Sequence, residues 1–94
     1  MSSIELTQKP GLAPGVRMKT DPVTGDPVLL YPEGFLVLNA TAYEIVHRCD
    51  GKKSVAEIVQ ELADEFDASE DILRTDILEN LEQLRQKNLL SFHA

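Results

Sequence analysis

VLNATAYEIVHRCDGKKSVAEIV, residues 37–59, is the stretch whose reading decides the fold. Val37 and Leu38 end an apolar strand, and Asn39 can cap a helix in which Ala42, Ile45, Val46 and Cys49 recur at helical spacing. Thr41 and Glu44 offer an alternative capping box one turn further in. Asp50 and Gly51 stop that helix, and Ser54 with Glu57 forms a capping box that opens a second one through Val55, Ile58 and Val59. A strand end, a helix, a tight stop and a capped helix in so short a span describe a small helix-turn-helix unit behind a sheet. Such a unit suits binding better than catalysis.

Downstream, Leu62 and Phe66 continue the apolar face of the second helix, while Glu57, Glu61, Asp64 and Glu65 make its outer face acidic. Ser69 predicts the cap of a third helix, with Glu70 and Asp71 complementing its dipole and Leu73, Ile77, Leu81 and Leu84 sharing one stripe. Leu89, Leu90 and Phe92 form an apolar tail that packs back on the domain or adds a short strand. Upstream, Val16 to Thr20 alternates apolar and basic residues, as a half-buried strand does. Asp21-Pro22-Val23-Thr24-Gly25-Asp26-Pro27 is hairpin-loop chemistry, and Val28–Tyr31 and Phe35–Leu38 are apolar runs separated by Pro32, Glu33 and Gly34. Their near-continuity points to cover on both faces of the sheet. Residues 1–15, with Pro10, Gly11, Pro14 and Gly15, read as a flexible leader, and residues 16–94 as a single domain. The expected class is α+β and winged helix-turn-helix-like: a three-stranded antiparallel meander followed by a three-helix bundle.

Charge and composition exclude several functions. Ninety-four residues make one core and leave no room for a deep cleft between lobes. Residues 1–38 hold three Lys/Arg against four Asp/Glu and residues 39–94 six against twelve, so the helical half repels a phosphate backbone. The single cysteine allows no internal disulfide, and no stretch reads as a signal peptide or membrane span. A reducing cytoplasm is the expected home. His47 and Cys49 lie two residues apart, roughly 200° round a helix, which suits neither a metal pair nor a nucleophile with its base. His93 has no partner in sequence, and the acidic pairs sit where solvated helix faces want charge. No phosphate loop, metal-spaced cluster or nucleophile elbow is present, so enzymatic activity in isolation is not expected.

Two binding surfaces remain. A DNA-reading helix needs cations, yet the third helix sets Arg74, Arg85 and Lys87 against Glu70, Asp71, Asp76, Glu79 and Glu82. The third strand, Phe35, Leu36, Val37 and Leu38, is short and lies at an expected sheet edge, where an extended peptide can add or where the third helix can provide cover. Leu78 points off the core stripe between Arg74 and Arg85, an apolar knob flanked by cations that suits a partly acidic peptide. Arg17 and Lys19 read as a solvated sheet face.

Lys9-Pro10, Leu12-Ala13-Pro14-Gly15-Val16-Arg17, Asp21-Pro22-Val23, Gly25, Pro27-Val28-Leu29-Leu30, Val37-Leu38-Asn39, Cys49-Asp50-Gly51, Ser54-Val55 and Glu57-Ile58-Val59 occur in this order. The set resembles the pyrroloquinoline quinone biosynthesis protein D family across nearly the whole chain. The resemblance implies a non-catalytic peptide chaperone without a cofactor. Such a protein binds the precursor peptide of the quinone and presents it to a radical S-adenosylmethionine enzyme that crosslinks a Glu and a Tyr. It further implies that the peptide adds as a strand in a groove made here by Phe35, Leu36, Val37 and Leu38 with Arg74, Ile77, Leu78, Leu81 and Arg85. The acidic second helix is an alternative docking face for the enzyme. Functions from other classes are a winged-helix DNA regulator and a dimerisation module in which the leader or the open edge pairs two copies into a homodimer.

Overall fold

The computed structural model describes residues 4–93. Eight elements follow in order: β1 Lys9–Leu12, β2 Arg17–Thr20, β3 Pro27–Tyr31, β4 Gly34–Val37, α1 Ala40–His47, α2 Val55–Phe66, α3 Glu70–Gln86 and β5 Leu90–His93. The expected α+β layout, an antiparallel meander followed by three helices, is what forms.

The meander is set by its turns. The Asp21 carboxylate accepts from the Val23 and Thr24 N–H groups at 2.8 and 3.4 Å, and Gly25 donates to the Asp21 carbonyl at 2.8 Å. β2, β3 and β4 then pair in that order, with Met18, Leu29 and Leu36 in one cross-strand row. This row is the inner one. Leu29 is fully buried and packs with Ile45, Ile58, Ile77, Leu81 and Leu89 in the core, each such side chain contributing about 1.5–3 kcal/mol.

Caps define the helices. Asn39, rather than the Thr41–Glu44 alternative, starts α1, its side chain accepting from Ala42 N–H at 2.7 Å. The second capping box is complete: Glu57 N–H donates to Ser54 Oγ at 3.1 Å and Ser54 N–H to Glu57 Oε1 at 2.9 Å. α3 begins after Ser69 without a hydrogen bond from that side chain, so the acidic first turn carries the start. Arg48 clasps α1 to α2, donating to the Glu44 carboxylate at 2.8 Å and to Glu61 at 3.3 Å, and reaching Glu65 as well. Its burial works against the charge, but the hydrogen bond it donates to Glu44 and the charges of Glu65 and Glu44 outweigh that and raise its pKa.

The segment expected to be a flexible leader folds in large part, although Met1 to Ser3 lie outside the described residues. β1 pairs antiparallel with β5, the strand formed by the apolar tail, in the register Lys9 to His93 and Leu12 to Leu90. The cause is an unmet need at α2. Its capping box satisfies the Glu57 donor, and the first two helical N–H groups, Val55 and Ala56, are taken by the carbonyls of Gln8 and Leu6 at 2.9 and 3.0 Å. Gly51 donates to the Pro10 carbonyl at 2.9 Å, and a Cβ on Gly11 would stand 3.2 Å from the Gly51 backbone. Gly51 holds φ of 78°, a conformation that costs other residues about 1–2 kcal/mol. Gly51→Ala is therefore expected to lower stability by about that amount in a chemical melt; an unchanged midpoint would contradict this account of the junction.

Candidate functional site

β4 is the terminal strand of its sheet, and its hydrogen-bond alternation fixes which groups are free. Leu38 N–H donates to the Pro27 carbonyl at 2.9 Å, so Leu38, Leu36 and Gly34 direct their backbone groups toward β3. The N–H and C=O groups of Phe35 and Val37 consequently project from the open edge. Side chains alternate at right angles to this pattern. Leu36 turns inward and Leu38 is buried, whereas Phe35 and Val37 stand on the outer face at 64% and 54% exposure.

The expected α3 residues separate into two groups. Ile77 and Leu81, at 1% and 0% exposure, are core and present no contact surface. Arg74, Leu78 and Arg85 lie on α3 beside that stripe: Leu78 is half-buried against the core, Arg74 donates to Asp71 at 3.2 Å, and Arg85 donates to Glu82 at 2.6 and 2.9 Å. The hydrogen bond and charge of Glu82 overcome desolvation and raise the Arg85 pKa. Sequence reasoning missed a cavity of about 210 Å³ just beyond the end of β4. Ala40, Thr41 and Ile45 of α1, Leu62 and Phe66 of α2, and Leu73, Asp76 and Ile77 of α3 line it. The sequence signal was Phe66 at the last position of the α2 stripe, where the helix ends and leaves the ring 53% exposed.

The catalytic candidates have structural roles. His47 stacks on Tyr43 with ring centroids 5.5 Å apart. The Cys49 thiol is buried and donates to the Ile45 carbonyl at 3.2 Å; burial, with Asp50 adding, pushes its pKa up to about 12, far from a nucleophile's range. Among the described residues no group of three His, Cys, Asp or Glu side chains is placed to hold a metal, and no helix is long and apolar enough to cross a membrane.

A family model, Coenzyme PQQ synthesis protein D (PqqD), matches residues 27–90, from β3 to the start of β5. The chain belongs to the PqqD family. Similar PqqD-family relatives include the PqqA binding protein of Xanthomonas oryzae pv. oryzae (strain KACC10331 / KXO85), 42% identical over 90 residues and covering 96% of this chain and 98% of that protein. The PqqA binding protein of Xanthomonas axonopodis pv. citri (strain 306) is 41% identical over the same length. Among solved PqqD structures, the solution structure of the PqqD truncation of Methylobacterium extorquens PqqCD superposes with a TM-score of 0.75 at 38% identity, over 87% of each chain. That protein is described as a functional, stand-alone recognition element for ribosomally synthesised and post-translationally modified peptides. The crystal structure of PqqD from Xanthomonas campestris gives a TM-score of 0.60 at 41% identity, over 86% of this chain and 90% of that one.

Proposed function

We propose that this chain is a non-catalytic adaptor of pyrroloquinoline quinone biosynthesis that binds the precursor peptide along β4 and presents it to a radical S-adenosylmethionine enzyme. The observation that carries the reading is the open β4 edge, with the Phe35 and Val37 backbone groups directed outward, in a chain whose relatives are named PqqA binding proteins. Strand addition supplies backbone hydrogen bonds to an unstructured peptide and lowers the entropic cost of its delivery. Phe35, Leu36, Val37 and Leu38 give the edge, with Arg74, Leu78 and Arg85 as the opposite wall and Ile77 and Leu81 supporting it from the core. The two arginines exchange their own-helix carboxylates for acidic groups of the peptide. A newly made peptide and a radical enzyme place this step in the reducing cytoplasm.

Calorimetric titration with a synthetic precursor peptide carrying the Glu and Tyr, followed by amide chemical shifts, tests the reading. Saturable binding is expected, with shifts concentrated at Phe35–Leu38 and between Leu73 and Arg85. Sedimentation alongside separates peptide addition from pairing of two copies through their β4 edges. Absence of binding with the enzyme present would overturn the function, and shifts confined elsewhere would overturn the site.

A further inference from the structure

The outer face of the β2–β3–β4 sheet is covered only in part: Val28 is buried and Leu30 half-buried, while Phe35 and Val37 stand exposed. Cross-strand register stacks Arg17, Leu30 and Phe35 in one row and Lys19, Val28 and Val37 in the next, all on this face. Between the rows and the hairpin residues Asp21 and Pro22 lies a cavity of about 260 Å³. Arg17 and Lys19 have no ion-pair partner among the described residues, in a chain of net charge −7. An apolar patch with two unpaired cations along one side has the make-up of a recognition surface.

We propose that this outer face docks the peptide-modifying enzyme, through an apolar contact ringed by carboxylates that meets Leu30, Phe35 and Val37 beside Arg17 and Lys19. The inference rests on the adaptor reading above and adds to it the surface and the chemistry of the partner. Charge selects the occupant. The two rows hold two cations and no carboxylate, so a second copy of this face brings no anion to meet Arg17 and Lys19, whereas a carboxylate rim complements them. Continuity with the β4 edge supplies the rest of the argument. A peptide added at β4 extends the sheet by one strand, and its alternate side chains emerge on the same outer face as Phe35 and Val37. An enzyme seated there meets the peptide's outward residues directly, without the peptide leaving its edge.

The test uses the full chain, the purified radical S-adenosylmethionine enzyme and the precursor peptide. In an Arg17→Glu, Lys19→Glu double variant, enzyme binding is expected to weaken by about tenfold or more at moderate salt. Peptide affinity should stay within about twofold, since β3 separates the strand of both residues from the β4 edge, and an unchanged thermal melt establishes the fold. Asp64→Lys, on the outer face of α2, is expected to bind the enzyme as the parent chain does. Undiminished enzyme binding by the folded double variant, loss of binding in Asp64→Lys instead, or no enzyme binding by the parent chain would each overturn the docking face. Failure of the parent chain to bind peptide is a different result, and overturns the adaptor reading beneath it.

Discussion

Val37→Pro lowers precursor-peptide affinity by about tenfold or more while the protein stays folded, because the substitution removes an edge donor and nothing from the β3–β4 ladder. The Val37 N–H points away from β3, as the bond from Leu38 N–H to the Pro27 carbonyl requires by alternation. Proline is tolerated on edge strands in just this orientation. One lost backbone hydrogen bond accounts for about 1 kcal/mol, and the proline ring also holds an incoming strand away from its neighbours. Leu36→Pro makes the contrast, since the Leu36 donor belongs to the internal ladder and its loss should unfold the hairpin. Glu61→Gln, on α2, should leave peptide affinity unchanged. Titration of the three variants with circular dichroism alongside decides the matter: equal losses in Val37→Pro and Glu61→Gln would remove strand addition as the mode of binding.

Most of the local architecture was legible because its causes are local. Asn39 and the Ser54–Glu57 box are complete within a few residues, and the Asp21 turn closes on itself. Distance along the chain is what hid the rest. Pro10 and Gly11 looked like punctuation, yet Pro10 is fully buried and its carbonyl accepts from Gly51, while the partner of its strand is the far end of the chain. Nothing local to Lys9–Leu12 signals β5. The helical period put Ile77 and Leu81 on the core stripe and left Leu78 beside Arg74 and Arg85, but periodicity orients a helix about its own axis and is silent about which element faces it. The outer sheet face was misread for a related reason. Continuous apolar strands normally imply two covered faces; here Phe35 and Val37 stay exposed, so composition alone could not separate a buried strand from one awaiting a partner.

Removal of residues 1–12 is expected to lower the unfolding free energy by about 4 kcal/mol or more, a large part of the 5–15 typical of a domain. Three losses combine. Pro10 is fully buried, and Ile4 and Leu12 pack on the core, each apolar side chain of this kind contributing about 1.5–3 kcal/mol when fully buried. The Val55 and Ala56 donors at the start of α2 lose the Leu6 and Gln8 carbonyls and must turn to water. β5 loses its only strand neighbour among the described residues, leaving Leu90 and Phe92 with less cover. Urea unfolding followed by circular dichroism measures the sum, and a Leu12→Ala variant isolates the packing share. An unchanged midpoint in the truncated chain would restore the flexible leader that the composition alone suggests. A shifted midpoint with intact peptide binding just below it would instead assign the segment to holding α2 and β5 in place, leaving recognition to the β4 edge on the other sheet.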